Sequence, residues 1–179
     1  FWTRLVADHP GAVLALWLEP GDLAEVAALA AAEPRPPLAF ASAGLLGNEL
    51  ATLPGELRTF TFVTYQGSFP EDMGRSRLAV ETWLKAKGLE VTNYPIQARI
   101  YFLGWTLTEL VHMMRDDFYR DYFVDLADMM RDETYSVASV YPRLSFGPGQ
   151  RYASKGCWIT QLDDSDPPKL VKRSDWVIH

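Results

Sequence analysis

Residues 12–18 read AVLALWL, seven apolar residues with no polar one between them. Such a run, lacking apolar–polar alternation, fits a strand buried on both faces of a parallel sheet. The next residues suit that reading. Glu19-Pro20-Gly21-Asp22 is a turn, with Asp22 placed to accept from the amides of a helix's first turn. Leu23–Glu33 is alanine-rich and predicts a helix, which Pro34, Pro36 and Pro37 end. Leu38–Ser42 (LAFAS) predicts a second short buried strand. Strand, helix and strand in that order predict a right-handed crossover.

The pattern continues along the chain. Before the first strand, Phe1–Asp8 reads as the end of a helix, with Trp2, Leu5 and Val6 on one face and His9-Pro10-Gly11 stopping it. Phe60–Tyr65 (FTFVTY) predicts a third strand. Pro70-Glu71-Asp72 opens a helix running to about Lys87, with Gly88 as its C-cap. Gln97–Arg115 predicts the longest helix, with a broad apolar surface, and Asp121–Met130 another. Two strand-like runs remain, Cys157–Leu162 and Leu170–Ile178, joined by the hairpin-like Asp163–Pro168. The order is that of an α/β protein with two final strands.

Composition narrows the function. The chain has 179 residues, which suits one domain or two small lobes. Its 48% hydrophobic and 22% charged residues support a packed core and argue against global disorder. A net charge of −6, with no lysine–arginine cluster, argues against a general nucleic-acid binder. Cys157 is the single cysteine, so no disulfide forms within the chain and no CxxC motif exists. It opens an apolar run, where it is expected as a small buried hydrophobe. The chain begins at Phe1, carries no leader-like segment and has no apolar run near ~18 residues. It is expected to be a processed product, a fragment or the ordered part of something longer.

Catalytic and metal motifs are missing. Gly147-Pro148-Gly149-Gln150 lacks the lysine and the strand–helix setting of a phosphate loop and reads as a turn. No GxSxG elbow occurs, and Ser42, Ser68, Ser145 and Ser154 have no histidine near them in sequence. His9, His112 and His179 form no metal-ligand spacing. Asp116, Asp117, Asp121, Asp125 and Asp128 lack the calcium-loop pattern and read as a solvated face. No catalytic residue, metal or cofactor is expected. The ends of the early strands carry more. Ligands of open parallel sheets gather beyond the strands' carboxyl ends. Those ends offer Trp17 and Glu19, Ser42 and Ala43, and Tyr65. Aromatic surface, a hydroxyl, one carboxylate and the amides of the Asp22 helix suit a small organic molecule.

The stretch YPRLSFGPGQRYASKGCWITQL, residues 141–162, resembles the C-terminal part of type I periplasmic ligand-binding proteins, in their leucine/isoleucine/valine-binding branch. AVLALWLEPGDLAEVAALAAAEPRPPLAFASAG is similar to that family's second-lobe strand–helix–strand, FTFVTYQGSFPED to its crossing between lobes, and QARIYFLGWTLTELVHMM to the long helix after it. The resemblance covers nearly the whole chain and rests on the order of these segments. It implies parts of two Rossmann-like lobes with hinge crossings: 1–62 in the second lobe, 63–150 in the first and mostly helical, and 151–179 returning as terminal strands.

The function implied is that of a periplasmic solute-binding component of an ABC-type uptake system. Trp17, Glu19, Ser42, Ala43 and Tyr65 would border an interlobe cleft holding a small organic ligand. A membrane permease or another periplasmic subunit would be the partner, with no role for nucleic acid. Amino-acid-binding members typically place an acidic residue where this chain has Ser42-Ala43-Gly44, which points away from an amino acid as ligand. The family's first-lobe core has no counterpart here, so a missing N-terminal half or a completing chain is expected to cover the apolar helix. The alternative use of the same fold is an interaction or sensor subunit of a larger periplasmic complex.

Overall fold

The computed structural model describes residues 1–129 and 156–178. Among the described residues the chain is mixed α/β with one five-stranded sheet, and it divides into two compact units. Unit 1 is Phe1–Gln66 with Gly156–His179, and unit 2 is Gly67–Lys155. The turn at 147–150 and most of the 141–162 stretch lie outside the described residues.

Unit 1 opens with α1 (Trp2–Asp8), whose Val6 is buried. The sheet consists of β1 (Leu14–Ala15), β2 (Ala39–Ser42), β3 (Thr61–Tyr65), β4 (Trp158–Leu162) and β5 (Leu170–Lys172), paired in that spatial order. The first three strands are parallel, and β4 and β5 add as antiparallel neighbours. Between β1 and β2 run a 3-10 turn (Pro20–Asp22), α2 (Leu23–Val26) and a second 3-10 segment (Ala27–Ala31). The regular helix expected over Leu23–Glu33 is therefore a single α-turn that tightens. Leu23, Val26, Leu29 and Ala32 are buried at spacings of three, the period of a 3-10 helix. Three short helical segments, α3 (Ala43–Leu46), Gly47–Thr52 and α4 (Gly55–Arg58), join β2 to β3.

The core lies on one face of this sheet. Ala39, Ala41 and Val63 meet Val6, Leu23, Val26, Leu29, Leu46, Leu50 and Leu57 there. Phe40, Ser42, Phe62 and Thr64 alternate onto the other face and are half-buried. The same alternation corrects the reading of Ala12–Leu18. Leu16 and Leu18 are buried, while Val13 and Trp17 are exposed, Trp17 at 86%. Strand pairing there covers two residues and sits at the sheet edge. An apolar run reports only that its residues tolerate burial. Whether a second layer covers the outer face is decided by chain far away in sequence.

Unit 2 contains α5 (Gly74–Ala86), α6 (Tyr94–Met114) and α7 (Arg120–Met129). Gly88, at φ 66°, ends the α5 region, where the Leu89 amide reaches back to the Leu84 carbonyl at 2.9 Å. This is the left-handed cap that glycine fits without strain. The long helix starts three residues before the expected Gln97. Asn93 Oδ1 accepts the Ile96 amide at 3.3 Å, and Pro95 occupies the first turn, where its missing N–H costs nothing. One flank of α6 buries Ala98 with Val80 and Leu84, and its end buries Leu110 and Met114 with Leu126. His112 is exposed.

Candidate functional site

The carboxyl ends of β1, β2 and β3 lie side by side, because the strands are parallel neighbours in register. Ala15 pairs with Phe40, and the Leu16 amide donates to the Phe40 carbonyl at 2.8 Å. Continued two residues, this register sets Trp17 level with Ser42, and Ser42 is itself paired with Thr64. Trp17, Ser42 and Thr64 thus share the sheet's open face at its carboxyl edge. Thr64 Oγ1 donates to the Ala41 carbonyl at 3.3 Å and ties the two strand ends together.

Each expected residue has a definite place. Trp17 stands in solvent beyond the β1 edge. Ser42 is the residue before α3, in extended backbone, and its hydroxyl makes no capping bond to that helix. Ala43 is the first residue of α3 and packs partly against the core. Tyr65 ends β3 opposite Trp158 of β4. The pleat turns Tyr65 to the face of Thr61 and Val63, away from Ser42 and Thr64. The structure therefore brings Trp17 and Ser42 to one face and Tyr65 to the other.

Glu19 and Asp22 differ from expectation. Helical backbone begins at Pro20, so Glu19 occupies the position before the helix and Asp22 its third residue. Asp22 Oδ2 accepts the Glu19 amide at 2.7 Å, and the Asp22 amide donates to the Glu19 carbonyl at 3.0 Å. Asp22 caps backwards, and its own amide is already used. The amide-rich anion subsite expected at Asp22 is absent from this turn. What remains at the strand ends is an indole, two hydroxyls and the exposed Glu19 carboxylate, a set that binds by contact and hydrogen bonding.

A second aromatic group adjoins Tyr65 and was not read from the sequence. Trp158 and Trp176 meet edge to face with ring centroids 5.4 Å apart, and Lys172 Nζ stands 4.6 Å from the Trp158 ring centroid. The only local signal is aromatic residues in both terminal runs; their meeting needs the β4–β5 register. Cys157 precedes β4 and bridges to Val177. It is half-buried rather than buried, and that burial pushes its thiol above the ordinary range. Among the described residues no group of three or more histidine, cysteine, aspartate or glutamate side chains is placed to hold a metal. No described helix is long and apolar enough to cross a membrane.

No protein-family model, curated protein or solved structure matches the chain.

Proposed function

We propose that the chain is a solute-binding component of the type I periplasmic kind, taking a small organic ligand at the strand ends of unit 1 and delivering it to a membrane permease. The observation that carries this reading is the convergence of three adjacent parallel strand ends bearing Trp17, Ser42 and Thr64 on one face. The chain leaves unit 1 after Gln66 and rejoins it at Gly156, a path compatible with that reading. Trp17 packs on the apolar part of the ligand, Ser42 bonds its polar head, and Glu19 supplies charge. Ala43 borders the site, whereas Tyr65, on the opposite face of the sheet, stands outside it.

The test is a thermal-shift screen of small organic solutes, followed by calorimetry on Trp17→Ala and Ser42→Ala. Losing either contact weakens binding by roughly 5- to 150-fold, or about 1–3 kcal/mol. A ligand bound equally well by both variants places the site elsewhere. A broad screen without any ligand favours the second reading, a subunit that docks in a larger periplasmic assembly. The apolar side chains exposed along α6 support that alternative.

A further inference from the structure

The helix α6 is apolar on two sides, and only one of them is used. Its buried flank carries Ala98, Phe102, Leu110 and Met114. Round the cylinder, Ile96, Ile100, Leu103, Leu107 and Val111 follow one another at spacings of three and four. All five are exposed, Leu103 at 65% and Ile96, Ile100 and Leu107 at 54% each. Arg99 borders the stripe beside Ile96 and Leu103, and no charged residue lies within it. A soluble helix normally turns its second side into a polar one. A continuous stripe of this kind marks a surface that is covered by something.

A groove runs beside the ridge. Trp83 of α5 and Tyr101 and Trp105 of α6 form its walls, Gly104 its floor, and Ile100 and Thr108 its ends, enclosing about 310 Å3. The Trp83 and Tyr101 rings stand 5.4 Å apart and brace each other. Nothing lies within 4 Å of where a Cβ on Gly104 would be. Tryptophan and tyrosine around a recess are the usual anchors of protein interfaces.

We infer that this face is the contact surface of a homodimer, with a second copy of the chain as its occupant. Three observations select a second copy. The face is self-complementary, since a ridge (Leu103, Leu107) and a groove of matching chemistry lie next to each other at the same height on one helix. A two-fold axis running along α6 sets the ridge of each copy against the groove of the other, as an isologous contact requires. Gly104, the groove floor beside the ridge, is open on its outer side, and its bare backbone lets two helices pack within about 8–10 Å. The size is also adequate. Fully covered, the five stripe residues contribute roughly 500 Å2 per copy, so the pair comes to the lower limit of roughly 1,000 Å2 total for a specific interface, to which the groove walls add. The absence of charge removes any cost of leaving an ion unpaired at its centre. This inference concerns unit 2 alone and does not depend on a ligand at the unit 1 strand ends.

The experiment is sedimentation velocity of the 179-residue chain over a concentration series, repeated for Leu103→Glu/Leu107→Glu. The chain is expected at twice the monomer mass, and the double variant at the monomer mass with association weakened by about 100-fold or more. Both residues are exposed, so an unchanged circular dichroism spectrum accompanies the loss. Leu78→Glu is the control. Leu78 is equally apolar and exposed but lies on another side of α5 from Trp83, and its variant remains dimeric. Gly104→Cys in a Cys157→Ser background is expected to form a disulfide between copies, since the axis brings the two positions within about 4.4–6.8 Å. A wild-type chain that stays monomeric throughout overturns the inference. So does association that survives the double variant, or that continues beyond the dimer. Each outcome reads mass or cross-linking and leaves the solute-binding test untouched.

Discussion

The side-chain amide of Gln161 donates to the carbonyl of Arg58 at 2.7 Å, joining residues 103 apart in the chain. The same amide reaches the Thr59 carbonyl at 3.3 Å, and the Gln161 oxygen accepts from Arg173 Nε at 3.1 Å. Arg58 is held in turn by its own guanidinium, whose Nε donates to the Leu53 carbonyl at 2.8 Å. One glutamine thereby fastens the end of α4 to both final strands. Gln161→Ala is expected to lower stability by about 1–2 kcal/mol in urea unfolding, since it strips carbonyls of a donor without removing apolar packing. Gln161→Glu, similar in shape but without the amide donor, is expected to cost a comparable amount. If either variant melts with the wild type, the bridge contributes nothing.

Gly156 begins the return to unit 1 at φ 97°, a conformation that side chains rarely adopt. A Cβ there would run into the carbonyl oxygen of Val177, with Trp176 Nε1 at 2.9 Å. The obstacle is backbone that is itself bonded, since the Val177 carbonyl accepts the Cys157 amide at 3.0 Å. Gly156→Ala therefore has no cheap relaxation and is expected to destabilise by more than about 2 kcal/mol. Thermal melts decide the matter, with near-ultraviolet dichroism reporting on the Trp158–Trp176 pair. A variant with wild-type melting and an unchanged tryptophan signal contradicts the prediction.

Asp163 organises the β4–β5 turn. Its Oδ1 accepts the Ser165 hydroxyl at 2.6 Å, the Lys169 amide at 2.7 Å and the Ser165 amide at 3.2 Å. The Ser165 hydroxyl, followed by the Lys169 amide, holds the carboxyl below its ordinary range. The folded chain thus keeps Asp163 ionised to lower pH than the unfolded chain does. Its stabilising effect is complete above the unfolded carboxylate range and is lost as pH falls through the folded value. Stability measured down an acid series should decline less steeply in Asp163→Asn than in the wild type. Identical slopes would show that the turn does not sense this proton.

Much of the framework is legible in the sequence because it is local. Leu38–Ser42 and Phe60–Tyr65 are short apolar or β-branched runs bounded by proline, glycine and threonine, and β2 and β3 form within them. Gly88 and the Asp163–Pro168 connection announce their turns. Other features were hidden for identifiable reasons. The start of α6, three residues ahead of the expected Gln97, is set by the cap of Asn93 and Pro95. Residues 43–58 form short helical segments with no long apolar period, so nothing in that stretch declares itself. At the candidate site, topology alone places Trp17, Ser42 and Tyr65 at strand ends. The pleat that separates Tyr65 from the other two needs the register, and the backward capping by Asp22 needs the start of the turn. Long-range partners such as Trp158 and Trp176 carry no sequence signal of their meeting.

The pairing of β3 with β4 has a consequence for how the protein is made. Thr160, fully buried, donates its hydroxyl to the Val63 carbonyl at 2.8 Å, across 97 residues. On a ribosome β3 emerges first, and its outer edge has no neighbour until all of unit 2 has been synthesised. At roughly 5–20 residues per second, that edge waits on the order of 5–20 s. An unpaired, aromatic-rich edge is a template for any other strand nearby. The nascent chain is thus most exposed to mispairing while unit 2 is being translated and β4 has yet to emerge.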